Sequence, residues 1–166
     1  MESQWSDKAA EEMVAAYKAG GGSGANDVNR DLALRVYTSR LLGHDPRLVL
    51  HGGGNTSVKT TLVDLLGEEV QVLCVKGSGW DMAEIEPQGL PAVRLAPLKK
   101  MRELASLGDE DMVNLQRQNL LDGLAPNPSV ETLLHAFLPH KFVDHTHAIA
   151  VLSLTDQPDG ERLCRD

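Results

Sequence analysis

With 166 residues, 42% hydrophobic and 24% charged, the chain has the size and composition of one globular domain able to bury a core. Its formal net charge of −8 argues against a nucleic-acid partner held on a broad basic surface. No apolar run reaches the ~18 residues that span a bilayer, the N-terminus lacks a signal-peptide layout, and Cys74 and Cys164 form no CxxC pattern. A cytoplasmic protein with reduced thiols and no membrane partner is expected.

In chain order, Lys8 to Lys18 suits a short helix, and Gly20-Gly21-Gly22-Ser23-Gly24 a flexible break, so residues 1–25 are expected to be a helix and linker ahead of a domain at 26–166. Asn26 or Asp27 is expected to cap a second helix, with Leu34, Tyr37 and Leu41 at helical spacing and Gly43 at its end. Arg47 to Leu50 reads as a short strand delivering the chain into His51-Gly52-Gly53-Gly54-Asn55. Val70 to Val75 reads as a strand entering Lys76-Gly77-Ser78-Gly79, and Ala92 to Leu95 as another. Pro97 suits the first turn of a helix at Leu98 to Leu107, and Asp109 to Leu121 is also helical in pattern. Ser129 is expected to cap a helix with Val130, Leu133, Leu134 and Phe137 on one stripe and Glu131, His135 and Leu138 on another. Pro139 stops it, and the apolar run Phe142 to Leu154 is expected to be one interior strand. Interleaved helices and strands make the class α/β.

Chemistry concentrates at Glu131 and Asp144-His145-Thr146-His147. On a strand, His145 and His147 would share a face and offer two imidazoles to one cation. A shared metal also relieves the about 1–3 kcal/mol penalty of each unsatisfied buried imidazole. Glu131 is a carboxylate able to coordinate or to carry a proton. Three such groups around an open position describe a catalytic zinc-type site better than a structural one. His135, four residues beyond Glu131, is expected to support the site or to sit in the core rather than to ligate. The loops Gly52-Gly53-Gly54-Asn55-Thr56-Ser57 and Lys76-Gly77-Ser78-Gly79 match neither a Walker A loop nor GxGxxG. As a pair they could offer backbone N–H groups and small polar side chains to a phosphate, with Ser129 a third contributor and Lys76 an auxiliary.

Four motifs, Gly-Asn-Thr-Ser-Val at 54–58, Lys-Gly-Ser-Gly at 76–79, Pro-Ser-Val-Glu at 128–131 and Asp-His-Thr-His at 144–147, together resemble the class II aldolase/adducin family. The stretch from Asn127 to His147 is most similar to the rhamnulose-1-phosphate aldolase-like branch, often fused to a short-chain dehydrogenase. The resemblance implies a three-layer α/β/α domain around a mixed, mainly antiparallel sheet, and a divalent metal, normally zinc, held by three histidines, of which His145 and His147 match two. It implies an acid/base role for Glu131 and a substrate-phosphate role for Gly54, Asn55, Ser78, Gly79 and Ser129. The implied reaction is retro-aldol cleavage of a ketose 1-phosphate to dihydroxyacetone phosphate and an aldehyde, in a homo-oligomer. A pentulose-phosphate 4-epimerase and a non-catalytic adducin-like interaction module are the alternatives. Val130 stands where the family usually has a second serine, and no histidine or tyrosine follows His147. An N-terminal portion of a longer domain, truncated at its C-terminus and weak or silent in turnover, is therefore expected.

Overall fold

The computed structural model describes residues 2–19 and 28–165. Four strands, β1 (Asn55–Val63), β2 (Glu69–Val75), β3 (Ala92–Arg94) and β4 (Phe142–His145), form one sheet in the order β3-β2-β1-β4. Each neighbouring pair is antiparallel. Side chains alternate across a strand, so β2 sends Val72 and Cys74 to one face and Leu73 and Val75 to the other. Both faces are covered, which explains why β2 reads as a continuous apolar run. Over the first face lies α2 (Arg30–Gly43), packing Leu32 and Val36 on Val58, Leu62, Val72 and Cys74. Over the second lie α3 (Leu95–Lys100) and α5 (Thr132–Phe137), packing Leu95, Leu98 and Ala136 on Leu73, Val75 and Val93. The result is a three-layer α/β/α domain.

The β1–β2 hairpin is set by its turn. Asp64 Oδ1 accepts from the backbone N–H of Leu66 at 2.9 Å and of Glu68 at 3.1 Å, and Gly67 takes φ +83°. Those backbone hydrogen bonds outweigh burial and hold the Asp64 carboxyl below its ordinary range. At the other side of β1, Arg35 of α2 crosses the buried layer. Its guanidinium reaches Asp144 Oδ1 at 2.6 Å and the carbonyl of Ser57 at 3.3 Å, tying the β1–β4 pair to the helix.

Several predicted boundaries move. The cap of α2 is Asn29, whose side chain accepts from Leu32 N; Asn26, Asp27 and the 20–24 glycines lie outside the described residues. The preceding helix α1 (Asp7–Ala19) packs on α2 with Ala10 and Val14 buried. Arg47 to Leu50 is not a strand, because Leu48 N and Val49 N turn back onto the Asp45 carbonyl. The helix predicted from Leu98 starts at Leu95 and ends at Lys100 in a 3₁₀ turn, and the next, α4, spans Asp109–Gln118. The largest change is at Phe142 to Leu154. The strand stops at His145, and Ile149–Thr155 forms α6, followed by α7 (Gly160–Arg165). β4 is an edge strand, and Ile149, Val151 and Leu154 are exposed. A short apolar stretch such as Ala148–Leu152 does not distinguish a buried strand from a helix.

Candidate metal centre and its carboxylate

Strand β1 begins at Asn55, directly after the glycine loop, and pairs Asn55 with His145 of β4. That register requires Gly54: its φ is +66°, and a Cβ there would lie 2.5 Å from the His145 carbonyl oxygen. His147 is not on the strand. It lies two residues past the end of β4, donates its backbone N–H to the Leu48 carbonyl at 2.9 Å, and is solvent-exposed. The expectation of two imidazoles on one strand face, forced together by burial, is therefore corrected. The rings nonetheless stand edge to face with centroids 4.9 Å apart. Gly53 makes room, since a Cβ there would meet His147 Nδ1 at 3.1 Å.

Ser129 lies ahead of α5 rather than at its first turn. The helix starts at Thr132, and Ser129 Oγ accepts from Glu131 N at 3.2 Å. The turn leaves the Glu131 side chain free to point at β4, where Oε2 meets His145 Nδ1 at 2.8 Å. A carboxylate only accepts, so His145 donates from Nδ1, and Nε2 is the nitrogen left to face a cation. Burial works to raise the Glu131 carboxyl, but hydrogen bonds from Asn55 and His145 prevail and hold it below its ordinary range.

Behind this edge lies a polar network whose pairings sequence reasoning did not specify, and in it His135 is buried beside the site as expected. Asn55 Nδ2 donates to Glu131 Oε2 and, at 3.2 Å, to Ser129 Oγ. Asn55 Oδ1 meets His135 Nε2, and His135 Nδ1 meets Ser57 Oγ at 2.8 Å. Asn55, Ser57 and His135 are all buried. Burial is the main reason that the His135 imidazole falls from its ordinary 6.5 to about 4, against the opposing pull of Glu131. The signal for Ser57 was available, since Asn55 and Ser57 are spaced i, i+2 and share one face of β1. Lys59 continues that face and donates to the carbonyls of His135 at 2.8 Å and His140 at 2.7 Å, closing the C-terminal end of α5.

The two glycine loops come together at this edge. Lys76 Nζ donates to the Gly52 carbonyl at 3.2 Å, while Ser129 N donates to Lys76 O and Ser78 N to Asn127 O. Burial lowers the Lys76 ammonium, with Asp81 and Glu131 opposing. Gly79 takes φ +86° with open space where a Cβ would stand. The donors of Asn55 are occupied, so the groups left for an anion are the Ser78 and Ser129 hydroxyls, the Gly79 turn and Lys76.

The donor set fits a cation in part. His145 and His147 present two adjacent imidazoles, and His145 donates from Nδ1, leaving Nε2 to face the cation. Among the described residues no three His, Cys, Asp or Glu side chains close around one point.

Three comparisons complete the description. The class II aldolase and adducin N-terminal domain matches residues 33–164. The chain is 41% identical over 131 residues to the uncharacterized oxidoreductase YuxG of Bacillus subtilis (strain 168), covering 79% of this chain and 19% of that protein. It superimposes on the N-terminal class II aldolase domain of a conserved protein from Thermoplasma acidophilum with a TM-score of 0.75 and 39% identity, covering 95% of this chain and 65% of that one. The chain thus spans about a fifth of the curated relative and about two thirds of the solved domain. On the extent of the match, the four-stranded layered fold and the likeness to that domain, the chain belongs to the class II aldolase and adducin N-terminal domain family.

Proposed function

We propose that the chain carries the carboxylate and two of the metal-binding imidazoles of a class II aldolase that cleaves a ketose 1-phosphate, of the rhamnulose 1-phosphate type, to dihydroxyacetone phosphate and an aldehyde. The single observation that carries this reading is the contact of Glu131 with His145 Nδ1 at 2.8 Å, beside the His147 ring. His145 and His147 would hold a divalent cation, normally zinc in this family, which when bound polarises the substrate ketone and its neighbouring hydroxyl. Glu131 would move the proton of the reacting carbon or hydroxyl. Its hydrogen bonds keep it ionised and ready to accept. Ser78, Gly79 and Ser129, with Gly54 and Asn55 fixing the loop, would hold the phosphate, and Lys76 would supply positive charge to an acidic protein.

A fused dehydrogenase region is supported by the oxidoreductase name and greater length of the Bacillus subtilis relative. The family resemblance supports a homo-oligomer, and the free Cys74 and Cys164 thiols are compatible with a cytoplasmic setting; among the described residues no helix is long and apolar enough to cross a membrane.

The test is a coupled assay on zinc-supplemented protein. Rhamnulose 1-phosphate should release dihydroxyacetone phosphate at the slow rate expected of a site with two imidazoles, and Glu131→Gln should abolish that release. Conversion of ribulose 5-phosphate without release of dihydroxyacetone phosphate would assign the site to 4-epimerisation instead.

A further inference from the structure

We propose that His135 is a positioning residue for Glu131, its Nε2–H fixing the Asn55 amide so that the Asn55 NH2 group is turned onto the Glu131 carboxylate. The inference rests on the reading of Glu131 as the proton-carrying group and deepens it.

The hydrogen-bond polarity of the network has one consistent assignment. Glu131 Oε2 and Ser129 Oγ both stand against Asn55 Nδ2, and the carboxylate requires a donor. The other end of that amide is then the carbonyl, which faces His135 Nε2. His135 must therefore carry its hydrogen on Nε2, and its bare Nδ1 must accept from the Ser57 hydroxyl, 2.8 Å away. A flipped Asn55 would aim a carbonyl at the carboxylate, and it would need the opposite His135 tautomer. The tautomer of His135 thus reports, and helps to select, the orientation of Asn55. A histidine that only filled space would not require two polar side chains in register, both from buried positions on β1. Burial keeps the ring neutral at physiological pH, and Glu131, His145, Lys59 and Arg35 are the charged or titratable groups that act on it. The two strand residues are those whose i, i+2 spacing brings them to the α5 face.

The tautomer is measured directly by long-range ¹H–¹⁵N spectra of the uniformly labelled, metal-free chain at neutral pH. Hydrogen on Nε2 and a bare Nδ1 are expected; hydrogen on Nδ1 overturns the proposal. Two variants provide the functional arm. His135→Gln keeps an N–H donor at the Nε2 end, whereas His135→Asn keeps a polar group only near the Nδ1 end. The Asn55 side-chain amide protons should stay protected from exchange in wild type and His135→Gln and lose protection in His135→Asn. Zinc affinity, measured by competition with a chromogenic chelator, should weaken roughly tenfold in His135→Asn and little in His135→Gln. Equal Asn55 protection in all three folded proteins would overturn the inference. If neither variant gives a cooperative melt, the wild-type tautomer decides alone. Wild-type protein that binds no zinc would sink the metal reading, while the tautomer still decides the role of His135.

Discussion

Replacing Gly54 with alanine separates two physical demands made on one residue. Gly54 has φ +66°, and a Cβ would stand 2.5 Å from the His145 carbonyl oxygen, a backbone atom of the neighbouring strand that cannot swing aside. The left-handed conformation alone costs about 1–2 kcal/mol for a residue with a Cβ, less a few tenths regained from the stiffer unfolded chain. Relieving the contact means moving β4 from β1 by several tenths of an ångström at the Asn55–His145 pair, an overpacking strain of about 1–3 kcal/mol. Gly54→Ala should therefore lose about 2–4 kcal/mol in urea unfolding and about 5–15 °C in Tm. Gly79→Ala is the control. Its φ is +86° and nothing lies within 4 Å of the added carbon, so only the conformational part, about 1–2 kcal/mol, should appear. Equal losses in the two variants, within about 0.5 kcal/mol, would refute the claim that the His145 carbonyl is what requires glycine at 54.

Stability should also fall with acid in a way that reports His135. The buried imidazole titrates near 4 when folded against an ordinary 6.5, so the unfolded chain binds the extra proton first. That stability is fully present above pH 6.5 and is lost as pH falls from 6.5 toward 4, on the order of 3 kcal/mol. Urea midpoints of wild type should drop more steeply across that window than those of His135→Gln, and parallel curves would count against a buried neutral His135. Asp144→Asn removes the carboxylate partner of the buried Arg35 guanidinium. Because Asp144 is about half exposed, the loss should be about 1–2 kcal/mol rather than the 3–5 of a fully buried pair, and an unchanged urea midpoint would mean solvent already screens it. Gly53→Ala should crowd both the Leu50 carbonyl oxygen, 3.0 Å from the new carbon, and the His147 ring at 3.1 Å, lowering Tm by a few degrees and weakening zinc binding several-fold; unchanged zinc affinity would separate the ring position from the loop.

What the sequence conveyed, it conveyed where one local rule dominated. The apolar strand β2, the glycine turns and the Pro139 stop follow from β-propensity, positive φ and the missing N–H. Strand β1 was harder to see, because its Asn55, Ser57 and Lys59 face inward toward α5 as polar groups instead of presenting a hydrophobic alternation. The Phe142–Leu154 run failed for another reason. Its apolarity fitted an interior strand, yet only Phe142–His145 is strand and the run from Ile149 on forms an exposed helix beside that edge strand. The site residues were legible as residue types but not as a circuit. Nothing in the sequence pairs His135 with Asn55 across 80 positions, because that pairing exists only once α5 lies on β1. His145 and His147 were brought together for the wrong reason. Their neighbourhood comes from the irregular segment after β4, which sets the His147 ring against Gly53, not from shared strand pleating.

Zinc stoichiometry tests the central claim most directly. Purified wild type supplemented with zinc and then gel-filtered should retain about one equivalent by elemental analysis. His145→Ala and His147→Ala, each with an unchanged melt, should retain none. Wild type that carries no zinc after supplementation, or either variant retaining it in full, would contradict the account.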